Sequence, residues 1–109
     1  MTMSGADARA KFGTEKAFAQ TVDYLAAACG WDICKSWLSI NSPSGEPDRR
    51  FIKPPRVVWA ELKTSRGKVS PMQAHVLGLL RQCPGVETYL WYPADWPEIE
   101  RVLGEGRVL

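Results

Sequence analysis

Gly45-Glu46-Pro47-Asp48-Arg49-Arg50-Phe51-Ile52-Lys53-Pro54-Pro55-Arg56-Val57-Val58-Trp59-Ala60-Glu61-Leu62-Lys63 is the stretch whose reading decides the fold. Branched and aromatic residues alternate on both sides of Pro54-Pro55, which predicts a β-hairpin turning at the two prolines. In a symmetric hairpin, residues whose numbers sum to 109 face each other, so Asp48 stands opposite Glu61. Directly opposed side chains lie roughly 5 Å apart at Cβ, and like charges there destabilise a sheet unless a cation lies between them or one carboxylate holds a proton. Lys63, two residues beyond Glu61, is on the same face, about 7 Å along the strand. Phe51, Val58, Ala60 and Leu62 share one face, and Ile52, Val57 and Trp59 share the other with Asp48, Glu61 and Lys63. Both faces are therefore expected to be covered, with the polar end of the sheet open.

Outward from the hairpin, Thr14 reads as an N-cap for a helix carrying Phe18, Val22, Leu25 and Cys29 at helical spacing, and Gly30 stands at its C-terminal end. Trp31 to Ile40 reads as a strand ending in the turn-rich Asn41-Ser42-Pro43-Ser44-Gly45. The hairpin strands are expected over Asp48 to Lys53 and Arg56 to Thr64, followed by a polar loop from Ser65 to Val69. Ser70-Pro71 opens a second helix, with serine as N-cap and proline at the first helical position, and Met72, Val76, Leu79, Leu80 and Cys83 as its apolar stripe. Pro84-Gly85 stops it. Val86 to Tyr92 reads as the last strand. Asp95 is expected to cap a closing helix through Val102, with Gly104-Glu105-Gly106 leading into a tail. The order is α-β-β-β-α-β-α, and a helix crossing before the last strand favours a parallel pairing within an otherwise antiparallel sheet. The fold class is α/β: a single domain with a mixed central sheet flanked by helices.

The 109 residues, 45% apolar and 24% charged, suit one soluble globular domain with one core, so residues 1–109 are read as a single domain, with 1–13 as a flexible N-terminal segment. No apolar run reaches the ~20 residues of a membrane span, and the polar start shows no secretory signal. A cytoplasmic protein with no membrane partner is expected. Cys29, Cys34 and Cys83 lack metal-ligand spacing and read as reduced packing thiols. Charge is unevenly placed. Arg49, Arg50, Lys53, Arg56, Lys63, Arg66 and Lys68 crowd the hairpin and its following loop against the single acid Glu61, while the whole chain carries only +2. Such a segment suits a polyanion; it also suits a solvated hairpin with charges guarding its edge.

Asp48 and Glu61 are hard oxygen donors of the kind Mg²⁺ or Mn²⁺ prefers, and one or two carboxylates, waters and a substrate phosphate make an ordinary magnesium shell. A cation there clamps a phosphodiester that the bare carboxylates repel, and acidifies a bound water that Lys63 can orient. Lys63 equally suits an ion pair with Glu61 or Glu46. Glu15 leads the inward row of the first helix, and equally suits a first-turn acid favoured by the helix dipole. Gln73 completes an S-x-x-Q capping box with Ser70, which leaves its amide able to touch substrate as well. His75, mid-helix with no acid or nucleophile at useful spacing, reads as a surface or packing residue. Trp31, Trp37, Trp59, Trp91 and Trp96 are expected mostly in the core. No P-loop, G-x-S-x-G elbow or zinc spacing is present.

Gly45-Glu46-Pro47-Asp48, Glu61-Leu62-Lys63, Gln73 and Glu15, in that arrangement, resemble the PD-(D/E)xK nuclease superfamily, and within it the small VRR-NUC domain family. The resemblance spans roughly Glu15 to Leu103. One departure is Arg49-Arg50 after Asp48, where the pattern carries an apolar residue. The resemblance implies a restriction-endonuclease-like core and a metal-dependent deoxyribonuclease that leaves 5′-phosphate and 3′-hydroxyl ends. It implies Asp48, Glu61 and the Leu62 carbonyl as ligands of Mg²⁺ or Mn²⁺, Lys63 assisting the attacking water, and Glu15 and Gln73 supporting the site. Arg49, Arg50, Lys53, Arg66 and Lys68 are then the expected DNA contacts. Members of this size look like phage or bacterial nucleases, some acting on branched DNA and often as homodimers, which implies the cytoplasm of a bacterial or phage-infected cell. A DNA-binding or assembly module without catalysis is the alternative, and recognition of RNA or a protein through the basic hairpin a third reading.

Overall fold

A computed structural model describes residues 15–35, 45–64 and 67–104. Its elements are α1 (Glu15–Ala28), β1 (Asp32–Lys35), β2 (Arg49–Lys53), β3 (Arg56–Leu62), α2 (Pro71–Arg81), β4 (Glu87–Trp91), a 3₁₀ turn (Pro93–Asp95) and α3 (Trp96–Gly104). The strands form one mixed sheet in the order β1-β2-β3-β4. β1 and β2, and β2 and β3, pair antiparallel, whereas β4 runs parallel to β3 after the α2 crossover. The expected α/β class, with a mixed sheet flanked by helices and a parallel last strand, is present among the described residues.

The core lies on one sheet face. Phe18, Val22 and Ala26 descend one side of α1 and are fully buried against Phe51, Val58, Ala60 and Leu62 of the sheet and Ile99, Val102 and Leu103 of α3. Alternation along the strands makes this possible, because these β3 residues differ by two and share a face. The Trp31 indole N–H donates to the Leu103 carbonyl at 2.7 Å, tying the start of the sheet to the last helix. α1 ends at Gly30, whose φ of +89° is the left-handed conformation. The Trp31 amide then bonds the Ala26 carbonyl and the Gly30 amide that of Ala27, at 3.0 and 3.1 Å, a Schellman termination.

On the opposite face α2 packs against β4. Here the expected stripe is corrected. Leu77 is the buried residue of α2, while Met72 and Leu79 are about half exposed and Cys83 is exposed. Gln73, which bonds Glu61 of β3, and buried Leu77 stand one turn apart on the side of α2 that meets the sheet. The packing-thiol reading holds for buried Cys29 and is corrected for Cys34 and Cys83, both exposed. Several bounds also move. The first strand starts at Asp32, with Trp31 in the core before it, and its expected continuation, Ser36 to Ile40 with Trp37, lies outside the described residues. The hairpin strands are Arg49–Lys53 and Arg56–Leu62, and the closing helix runs on to Gly104. Asp95 accepts the Tyr92 amide in the 3₁₀ turn at 2.8 Å rather than capping that helix. Residues 1–13, Thr14, the turn at 41–44, the loop residues 65–66 and the tail beyond 104 are likewise outside the described residues. No helix among the described residues is long and apolar enough to cross a membrane.

Candidate metal and phosphodiester site

The β2–β3 register pairs Arg49 with Ala60 and Lys53 with Arg56, so the next pair outward sets Asp48 opposite Glu61, as the hairpin symmetry predicts. Each carboxylate is tied to the opposing strand. Glu61 Oε1 accepts the Asp48 amide at 3.1 Å, and Asp48 Oδ2 accepts the Leu62 amide at 3.2 Å. Glu61 is 1% exposed, the one buried charged residue among those described. Its other oxygen, Oε2, accepts from Gln73 Nε2 at 2.9 Å and lies 3.3 Å from Lys63 Nζ. Burial first, and the Asp48 charge second, push the Glu61 carboxyl up to about 7, with Lys63 and the Asp48 amide pulling the other way.

Gln73 holds two positions with one side chain. Its Oε1 accepts the Ser70 amide at 2.9 Å while Ser70 Oγ accepts the Gln73 amide at 3.1 Å, the reciprocal capping box. The amide nitrogen is thereby oriented toward Glu61. The start of α2 and the end of β3 are thus joined by a hydrogen bond whose orientation the cap sets.

A second link runs through Gly45. A Cβ built there would fall 2.6 Å from Met72 Cγ and 2.7 Å from the Met72 carbonyl oxygen, and φ is +69°. The chain passes so close to the first turn of α2 that only glycine fits. Pro47 is fully buried beside it. Gly45 and Pro47 therefore fix the path that presents Asp48. The sequence singles out both positions within Gly45-Glu46-Pro47-Asp48, but neither the contact with Met72 nor the burial of Pro47 has a signal in it.

Lys63 is 17% exposed and paired with a buried acid, which makes the pair part of the site rather than a surface ion pair. Glu15, exposed, opens α1. The direction of α1 follows from two contacts: Lys53 Nζ reaches the Cys29 carbonyl at 2.8 Å near the hairpin turn, and Arg49 reaches Asp23 nearer the carboxylates. The helix N-terminus, about 12 Å beyond Asp23 at 1.5 Å per residue, therefore lies toward the carboxylate end of the sheet. The Glu15 side chain, expected to lead the inward row, is exposed instead and makes no hydrogen bond or ion pair with the described residues. His75 is exposed on α2.

The basic residues divide by sheet face. Arg49, Lys53 and Arg56 point to the α1 side: Arg49 grips Asp23 through Nε and Nη2 at 2.9 and 3.1 Å, Lys53 sits over the Trp31 ring, and Arg56 grips Glu87 through two bonds of 2.7 Å. Alternation turns Arg49 and Lys53 away from the face that carries Glu61, and each is held by an internal partner. Arg50 shares the Glu61 face, its Cζ 5.5 Å from the centre of the Trp59 ring. Lys68 is exposed in the loop entering α2, and Arg66 lies outside the described residues.

Among the described residues no cluster of three or more His, Cys, Asp or Glu side chains forms. The donor set here is two carboxylates and a carbonyl. The Lys63 amide bonds Trp91 at 3.0 Å toward β4, whereas the Leu62 amide meets Asp48 on the β2 side. A strand residue's N–H and C=O point to the same edge, so the Leu62 carbonyl also faces the Asp48 side. Three hard oxygens from two adjacent strands, two of them carboxylates whose facing charges a cation would offset, fit Mg²⁺ or Mn²⁺.

The class so defined is a single-domain α/β protein with a carboxylate pair at the end of a mixed sheet. Compared with protein-family models, with curated proteins and with solved structures, the chain finds no match in any of the three.

Proposed function

We propose that this protein is a Mg²⁺- or Mn²⁺-dependent deoxyribonuclease that hydrolyses phosphodiester bonds at Asp48 and Glu61. The observation that carries the reading is the facing pair itself, with Glu61 buried and its carboxyl held up near neutrality. A fold that stabilised only itself would gain by replacing one of two opposed acids. Asp48, Glu61 and the Leu62 carbonyl would hold the metal, which when bound supplies Lewis acidity toward the phosphate and a more acidic water. Gln73 keeps Glu61 in place through Oε2. Lys63, 3.3 Å from the same oxygen, orients the attacking water and offsets charge on the phosphorane. Glu15, at the same end of the sheet, would support the site. Arg50 and Lys68 supply the phosphate contacts that Arg49 and Lys53, held by internal partners, do not. Action on branched DNA and a homodimeric state remain part of the proposal.

Plasmid and branched DNA incubated with the protein and each metal test it. Cleavage should need the divalent ion and be lost in Asp48→Ala and Glu61→Ala. Undiminished cutting by both variants would remove the site. DNA binding with no cleavage under any metal would leave a binding module on this fold.

A further inference from the structure

The row of residues next to the carboxylates has chemistry of its own. Arg50 on β2 pairs with Trp59 on β3, two residues along each strand from Asp48 and Glu61. Alternation places all four on one face, with the rows about 7 Å apart. α2 packs chiefly on β4, so the β2 side of this face carries no helix among the described residues. Arg50 and Trp59 are accordingly both partly exposed.

Arg50 differs from the other hairpin cations. Arg49 has Asp23, Arg56 has Glu87, Lys63 has Glu61 and Lys53 has the Cys29 carbonyl. The Arg50 side chain makes no hydrogen bond or ion pair with a described residue, and its Nε is buried with no acceptor. The guanidinium is held over the indole instead, at 5.5 Å. An uncompensated planar cation on an aromatic ring matches the two parts of a nucleotide: the phosphate takes the guanidinium, and the base takes a π face. Duplex DNA offers its phosphates but keeps its bases stacked inside, so the indole is useful only to a base outside the stack.

We propose that Arg50 and Trp59 form a nucleotide subsite next to the carboxylates, Arg50 binding a neighbouring phosphate and Trp59 its unstacked base, so that the substrate is a single-stranded or locally unpaired strand. The placement of the reacting phosphate rests on the nuclease reading above; the subsite itself is tested by binding.

The experiment measures anisotropy of a labelled 12-nucleotide single strand and of the blunt duplex of the same sequence, without added metal and with Ca²⁺, using the full chain. The wild type should bind the single strand more tightly. Trp59→Leu should weaken single-strand binding about tenfold or more, as loss of one stacked base does, and leave duplex binding unchanged. Arg50→Gln should weaken both and lower the salt dependence by about one counterion, while Arg50→Lys should recover the salt dependence but not the full affinity. An abasic site moved along the strand should find one position whose base matters to the wild type and not to Trp59→Leu. If Trp59→Leu fails to fold, quenching of wild-type tryptophan fluorescence by the strand, reduced in Trp59→Phe, gives the same reading. Equal affinity for strand and duplex, or no sensitive abasic position, overturns the subsite and leaves any nuclease activity standing. Single-strand binding lost in these variants, with no cleavage under Mg²⁺ or Mn²⁺, keeps the subsite and removes the nuclease.

Discussion

Asp48 and Glu61 are joined crosswise: Glu61 Oε1 accepts the amide of Asp48 itself, and Asp48 Oδ2 accepts the amide of Leu62, the residue after Glu61. Two acids that should repel are thus held at the mouth of the hairpin by the strand ends they belong to. The amides satisfy one oxygen of each and leave the remaining negative charge to Lys63, a proton or a cation.

That charge makes metal-free stability depend on pH. The folded Glu61 carboxyl titrates at about 7 against 4.5 ordinarily, so between those values the folded chain holds a proton that the unfolded chain has released. The contribution is fully present below about 4.5 and is lost as pH rises through about 7, a fall of up to about 3 kcal/mol from this group. A divalent ion competes with the proton, so millimolar MgCl₂ should raise Tm more at pH 8 than at pH 5. Thermal melts at the two pH values, with and without Mg²⁺, measure this; an equal shift at both would sever Glu61 from metal binding.

Gln73→Glu separates capping from site support. Glutamate serves the capping box as well as glutamine does, so the helix start should survive. It also sets a third carboxylate against Glu61 Oε2, where the wild type donates at 2.9 Å. Cleavage should fall tenfold or more and its pH profile move upward, while Gln73→Ala should lower stability by about 1 kcal/mol through the cap as well. Wild-type cleavage by Gln73→Glu would reduce Gln73 to a cap.

Gly45 and Gly85 form a controlled pair. Both have positive φ, +69° and +84°, but a Cβ at Gly85 meets nothing within 4 Å whereas one at Gly45 strikes Met72. Gly85→Ala should cost about 1–2 kcal/mol from its backbone conformation alone, with activity kept. Gly45→Ala should cost clearly more and displace Asp48, abolishing activity. Similar chemical-denaturation curves for the two would show that the Gly45 approach to α2 is not needed.

Arg49 and Lys68 should fail in different assays. Arg49 and Asp23 are each 14% exposed, and Arg49→Ala leaves Asp23 only Lys35 at 3.5 Å. A loss of about 1–3 kcal/mol in stability is expected, with little change in DNA affinity of the folded fraction. Lys68→Ala should keep Tm and lower the salt slope of DNA binding by about one. Melting curves and affinities at several salt concentrations distinguish them; a reversal would mean that Arg49 leaves Asp23 to meet DNA.

Much of the site was legible because local rules govern it. The hairpin register follows from Pro54-Pro55 and strand alternation, and it places Asp48 against Glu61. Ser70-Pro71 with Gln73 declares a helix start, and Gly30 declares an end. The inward face of α2 was not legible. Its apolar residues surround much of the helix, so spacing alone pointed to Met72 and Leu79, whereas the single contact strip against β4 selects Leu77.

The fates of the basic residues were also hidden. Seven cations in one segment suggest a polyanion surface, yet Arg49, Lys53, Arg56 and Lys63 each meet an internal acceptor brought from a distant element or the facing site. Sequence by itself determined what short-range geometry controls: element order, hairpin register, caps, and which face each strand residue takes. Tertiary structure decided which charges are neutralised, that burial raises the Glu61 carboxyl well above its ordinary value, and that Gly45 must touch Met72. Those outcomes depend on solvent exclusion and on contacts between segments far apart in the chain, and neither is encoded in any local spacing.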